Sequence, residues 1–273
     1  MIVVDAYTTN TVNGPLQQQR THRVLAYGDS LTAGTCGNNY FPYAMDLEQA
    51  LYEQQRKPPT QNNNDNDSTK DSDTRNIIVR HRGIPGMKVQ EMVDNLDDER
   101  RGLRSAIQSI RDPSLSIVII LAGTNDLGHE LLYHQNNVER AARTIGNNLI
   151  TLHQMCYDNH IPYTIAIGIP SSGYQYRMAD AASVVSLVNA QLQQYASTTT
   201  TTATTTNSNN PGATSPIDDK GRSRMIYVEL PFEYIPNGEN WNSDTLHFSK
   251  KGYTVLGEHL VPIVQQIVDQ YLS

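Results

Sequence analysis

Apolar residues fall along this chain in two rhythms, short continuous runs and longer stretches with a helical repeat. The short runs are His22–Gly28, Asn76–Arg82, Ser116–Ala122, Tyr163–Ile169 and Arg224–Leu230. Bounded by Gly, Pro or polar residues, they predict five strands. Ser116–Ala122 is apolar almost throughout, the look of a strand buried on both faces. The helical repeat predicts helices over Phe41–Gln55, Val89–Ile110, Val138–Asp158, Met178–Tyr195 and Lys250–Tyr271. Each of the first three carries a stripe: Tyr43, Leu47 and Leu51; Met92, Val93, Leu96, Leu103 and Ile107; Ala142, Ile145, Leu149 and Leu152. Strands alternating with helices of this length imply an α/β fold with a parallel sheet covered on both faces. A doubly wound order of 2-1-3-4-5 is the expectation.

Three stretches stand outside this rhythm. Residues 1–21 are polar and aperiodic after Ile2-Val3-Val4 and read as a tail, leaving 22–273 as one domain. Residues 57–75 and 197–215 are tracts of Asn, Asp, Ser, Thr and Pro without large apolar side chains. Such tracts cannot bury enough surface to offset the entropy of ordering them, so they read as disordered insertions between elements.

Composition then narrows the function. A formal net charge of −7 lacks the basic footprint of a nucleic-acid binder and disfavours docking on anionic membranes. No apolar stretch reaches the roughly 20 residues of a membrane span. Met1 to Arg20 lacks a basic start followed by an apolar core, so no secretory signal is read and the default expectation is a cytoplasmic protein. Cys36 and Cys156 are too few for a disulfide framework and match no metal spacing. A free thiol near the first turn and a buried helix residue are expected, with a single bridge left open.

Four polar clusters sit at predicted strand ends or just before the last helix: Gly28-Asp29-Ser30, Gly83 to Gly86, Gly123-Thr124-Asn125-Asp126 and Asp244-Thr245-Leu246-His247. In a parallel sheet all four gather at one edge, where ligands bind. A serine hydroxyl is a weak nucleophile until a base takes its proton, a task that histidine suits near neutral pH. The histidine in turn needs a carboxylate on its other nitrogen. Asp244 and His247 are three apart, close enough for one turn to join them. An attacked carbonyl becomes an oxyanion that needs donors in place beforehand. Candidates are the backbone N–H groups of Ser30 and Gly86 and the side-chain amide of Asn125. Glycine suits such a position because the backbone can approach a ligand closely.

Taken together, the blocks Gly28-Asp29-Ser30-Leu31, Gly86, Gly123-Thr124-Asn125-Asp126 and Asp244-Thr245-Leu246-His247 resemble the SGNH hydrolases, also called GDSL esterases and lipases. The resemblance implies a flavodoxin-like α/β/α sandwich and ester hydrolysis through an acyl-enzyme, with no metal or cofactor. It assigns Ser30 as nucleophile, His247 as base, Asp244 as its orienter, and Ser30, Gly86 and Asn125 as oxyanion donors. Gly83 competes with Gly86 for the second block; Gly86 is preferred because Met87-Lys88 after it reads as a helix start. The two low-complexity tracts depart from what these motifs require.

Plainer roles exist for each residue singly. Ser30 could be a helix cap, Asn125 a turn residue, and Asp29 and Asp126 could tie turns by hydrogen bonds. Ile84, Leu127, Trp241 and Leu246 lie near the clusters and could wall a substrate pocket, or simply pack. His22 and His81 read as surface or half-buried strand residues, His129 and His134 as loop residues, and His153, His160 and His259 as helix-surface residues. A phosphate or flavin site lacks a Gly-x-Gly-x-x-Gly or Lys-Ser/Thr signature. The expected function is therefore serine-dependent hydrolysis of a small-molecule, lipid or carbohydrate ester. Acyl transfer by the same triad, or a non-catalytic carbohydrate- or lipid-binding relative, are the alternatives. The oligomeric state has no signal in the pattern. Deleting Gln61–Thr74 or Thr198–Ser208 should leave soluble expression and the circular dichroism spectrum unchanged; loss of soluble protein in both deletions would overturn the reading of these tracts as insertions.

Overall fold

The computed structural model describes residues 21–56, 76–110, 115–133, 137–198 and 224–272. In chain order its elements are β1 (Thr21–Gly28), α1 (Ser30–Ala33), β2 (Thr35–Cys36), β3 (Asn39–Tyr40), α2 (Tyr43–Arg56), β4 (Asn76–Gly83), α3 (Val89–Asp94), α4 (Leu103–Ser109), β5 (Leu115–Leu121), α5 (Thr124–Tyr133), α6 (Val138–Asp158), β6 (Tyr163–Ile167), α7 (Tyr174–Arg177), α8 (Ala181–Ser197), β7 (Met225–Val228) and α9 (Lys250–Tyr271). One sheet has the order β4-β1-β5-β6-β7 with every pairing parallel. Numbered among themselves, these five strands run 2-1-3-4-5, as the sequence predicts.

The sheet divides two apolar cores, and from Ile117 onward β5 serves them by alternation. Along β5, Ile117, Ile119 and Leu121 face a core with α2 and α9, while Val118 and Ile120 face one with α3, α4, α6 and α8. On β1, Val24 and Ala26 join the first core and Leu25 and Tyr27 the second. Period two with both faces buried is what a central parallel strand demands, and it produces the three-layer α/β/α architecture.

Several expectations need correction. The predicted helix over 89–110 is two helices, α3 and α4. Asp98 Oδ1 accepts the backbone N–H of Arg100 and Arg101, at 3.0 and 2.9 Å, so a side chain replaces the helical acceptor and the chain turns. The stretch after Asn125, read as loop, is α5 and holds His129. A short antiparallel hairpin, β2–β3, follows the first turn unannounced. The last two sheet strands end at Ile167 and Val228, short of the predicted Ile169 and Leu230. The proposed tail falls largely outside the described residues, although Thr21 already belongs to β1; the 57–75 insertion and nearly all of 197–215 also lie outside them, as does His134. Both cysteines are free, Cys156 buried in α6.

His22 and His153 are buried, not exposed. His153 lies on α6, where its Nδ1 is 2.9 Å from Thr164 Oγ1 of β6. The same hydroxyl is 2.8 Å from the Tyr157 OH. A threonine facing this core from the sheet thus gives the imidazole its partner.

Burial drives the His153 pKa down to about 3, against 6.5 for a free histidine. Between those values the unfolded chain binds a proton that the native state refuses, so this residue's contribution to stability falls as pH drops from about 6.5 towards 3. A His153→Gln variant lacks this ionisation. Urea unfolding across that window should show the variant's disadvantage shrinking on acidification, by up to ~1.4 kcal/mol per pH unit; a pH-independent difference would show that His153 is not held neutral.

Candidate active site

The site begins where β1 stops. A Cβ on Gly28 would lie 1.8 Å from the Leu121 carbonyl oxygen, so only glycine lets β1 and β5 close up at this edge. Asp29 then caps α1: its Oδ1 accepts the Leu31 N–H at 2.9 Å. Ser30 is therefore the first helical residue and not the cap. Its side chain is almost fully buried, with one neighbour of note: His247 Nε2 lies 2.9 Å from Ser30 Oγ.

His247 is fixed from below and from the side. The next residue, Phe248, is buried in edge-to-face contact with Phe232, Trp241 and Tyr253. Backbone bonds Asn242 N–H to His247 O and Ser249 N–H to Asn240 O, each 2.9 Å, staple the loop. Ser249 caps α9 by accepting the Gly252 N–H at 3.1 Å. On the ring's other side, Nδ1 is 2.8 Å from Asp244 Oδ2, while Asp244 Oδ1 accepts the N–H groups of Leu246 and His247, both at 2.9 Å. Partial burial pushes the Asp244 carboxyl upward, but the donors of His247 and Leu246 outweigh it and hold it below the ordinary carboxylate range. An ionised carboxylate only accepts, so the ring proton sits on Nδ1 and Nε2 is left to accept from the Ser30 hydroxyl. Ser30, His247 and Asp244 thus form one hydrogen-bonded chain.

The other two clusters are clamped together. Asn125 Nδ2 donates to the Met87 carbonyl at 3.1 Å, and the Asp126 carboxylate accepts the Val89 N–H with both oxygens, at 3.1 and 2.9 Å. The chain leaving the Gly86–Met87 loop is therefore held at two successive points, Met87 O and Val89 N–H. Gly86 has φ +80 with open space where a Cβ would point. The loop leaves β4 beside the nucleophile turn, the Ile84 N–H donating to Gly28 O at 2.9 Å. Asp29 and Asp126 do tie turns, as expected, and Asp126 ties a segment distant in sequence. Burial lifts both carboxyls, Asp29 to about 7 and Asp126 to about 6.

The four pocket candidates separate. Leu246 is half-buried and lines a cavity of about 110 Å³ with Tyr174, Arg177, Asp244, Thr245 and His247. Ile84 lines an open depression with Gly86, Met87, Glu91 and Arg101, which holds none of Ser30, Asp244 and His247. Leu127 is fully buried in the core beneath α5. Trp241 is buried too, its Nε1 donating to Glu233 O at 3.0 Å; it supports Phe248 instead of facing a ligand. Tyr174 and Arg177 escape sequence reading because α7 is four residues long and has no periodicity. The polar-aromatic run Ser171-Ser172-Gly173-Tyr174 after the fourth sheet strand is the signal that could have found them.

Residues 24–260 match the family described as GDSL-like lipase/acylhydrolase. The chain belongs to that family. No curated protein matches its sequence. Among solved structures it is similar to a carbohydrate acetylesterase family member from Sinorhizobium meliloti, at 14% identity and TM-score 0.54, covering 91% of this chain and 99% of that one. It is similar also to a family 3 carbohydrate esterase from Clostridium thermocellum, at 13% identity and TM-score 0.53, covering 91% and 99%. The lipase/acylhydrolase from Enterococcus faecalis gives 14%, 0.51, 89% and 95%. At such identities the likeness concerns the fold, which is that of the GDSL hydrolases.

Among the described residues no group of three or more His, Cys, Asp or Glu could hold a metal ion, and no helix is long and apolar enough to cross a membrane. Replacing Asp126 by Ala leaves the buried Val89 N–H without its acceptor, which should cost about 1–3 kcal/mol. Urea denaturation of the variant measures this; unchanged stability would show that the clamp on the Met87 loop is not needed to hold it.

Proposed function

We propose that this GDSL-family chain is a serine-dependent carboxylic ester hydrolase working through an acyl-enzyme. One observation carries the reading: the continuous hydrogen-bonded chain Ser30–His247–Asp244 at the carboxyl edge of the sheet. Ser30 Oγ attacks the ester carbonyl carbon while His247 Nε2 takes its proton. The carbonyl oxygen becomes an oxyanion held by the N–H groups of Ser30 and Gly86 and the amide of Asn125. As the intermediate collapses, His247 returns the proton to the departing alkoxy oxygen and the alcohol leaves. Water then attacks the acyl-serine with His247 again as base, releasing the acid and restoring the Ser30 hydroxyl. Asp244 holds the Nδ1–H throughout and stabilises the imidazolium without being protonated.

Water as the acyl acceptor distinguishes this reading from transferase chemistry.

Hydrolysis of p-nitrophenyl acetate, butyrate and octanoate by wild type and Ser30→Ala tests this. The variant should keep its circular dichroism spectrum and lose a factor of about 10³ or more in kcat. Equal activity in both proteins would remove Ser30 from the chemistry. The order of activity from acetate to octanoate reads out the length of acyl chain that the site admits.

A further inference from the structure

The segment after β6 is bound to the Asp244–His247 loop, and it brings a cation with it. The Gly173 N–H donates to Thr245 O at 2.7 Å, and Arg177 Nη2 donates to Thr245 Oγ1 at 3.1 Å. Thr245 has φ +66, an unusual state for a β-branched residue. These two bonds fix Arg177 over the cavity of about 110 Å³ that it lines with Tyr174, Asp244, Thr245, Leu246 and His247. The bond to Thr245 uses one of the five N–H donors of a guanidinium, and among the described residues Arg177 makes no ion pair. Asp244, the carboxylate lining the same cavity, is already engaged by the His247 ring, two backbone N–H groups and the Asn242 amide. The remaining fork of Arg177 is therefore available to a ligand, and its planar geometry matches a carboxylate or phosphate.

Which part of an ester would occupy this space follows from the proposed mechanism. His247 Nε2 must hand its proton to the leaving oxygen, so the leaving alcohol lies against His247. A cavity walled by His247 and by the loop carrying it is then the alcohol's side of the site.

Resting on the hydrolase reading above, we infer that Tyr174 and Arg177 form a subsite for the alcohol part of the substrate, and that it selects alcohols bearing an anionic group, carboxylate or phosphate, near the ester oxygen. Tyr174 supplies a wall and Arg177 the charge. The acyl group takes no part in this selection.

Acetate esters of three matched phenols test the idea: 4-acetoxybenzoate, 4-acetoxyphenyl phosphate and the neutral methyl 4-acetoxybenzoate, each corrected for its rate of hydroxide hydrolysis. Wild type should favour one or both anionic esters by about tenfold in kcat/KM, chiefly through KM, as a charge-assisted hydrogen bond provides. The better of the two identifies the anion. In Arg177→Ala the anionic-to-neutral ratio should collapse to about one, and Arg177→Lys should restore part of it. A parallel loss on all three esters in Arg177→Ala would show that Arg177 only props Thr245, and would overturn the subsite. Absence of any anionic preference in wild type would overturn it too. Turnover of p-nitrophenyl acetate, measured alongside, reports on the hydrolase reading itself. Should that fail, calorimetric binding of 4-hydroxybenzoate against its methyl ester still decides: equal binding, or binding unaffected by Arg177→Ala, rejects the subsite.

Discussion

Everything in this molecule hangs on a central strand that must be apolar on both sides. Ile117–Leu121 supplies alternate side chains to two separate cores, so neither helical layer can form without it. Parallel neighbours then follow, because the crossover helices needed between parallel strands are also what cover the faces. With all strands pointing one way, their carboxyl ends share an edge. The turns and helix starts at that edge carry the serine, the glycine loop, the asparagine and the histidine. The site is thus a consequence of how the core is buried.

Two clamps refine that edge. Asn125 and Asp126 grip the Met87–Val89 segment, while Gly173 and Arg177 grip Thr245. Each joins segments that follow different strands of the sheet, and each replaces loop freedom by specific hydrogen bonds. Preorganisation of this kind is what lets weak donors act together on a developing charge. The aromatic group of Phe232, Trp241, Phe248 and Tyr253 does the same job with dispersion, anchoring the residue next to His247.

Features written locally were legible in the sequence. Val138–Asp158 and Lys250–Tyr271 begin where the stripe predicts, since Asn137 and Ser249 cap their first turns with side-chain acceptors. The strand order and the Ser30, Asn125, Asp244 and His247 clusters also follow from pattern and motif. What escaped depends on partners remote in sequence or on very short elements. The break between α3 and α4 depends on one carboxylate capturing two backbone N–H groups. His153 looks like a surface residue until Thr164, on a different element, meets it. Trp241 is close to His247 in sequence, as read, yet its ring turns inward because Phe248 and Glu233 O are there to receive it. Tyr174 and Arg177 sit on a single helical turn, too short for any period to show.

The hydrogen bond between Ser30 and His247 joins residues 217 positions apart, one on the first strand's turn and the other just ahead of the last helix. Loop closure over such a span is entropically costly and is repaid only by long-range burial. No fragment that ends before α9, and no partly folded chain with α9 undocked, can hold the two side chains in contact. On the proposed mechanism, catalytic competence would therefore switch on late and all at once, so that the appearance of activity during refolding would time the docking of the final helix more directly than any spectroscopic signal of secondary structure.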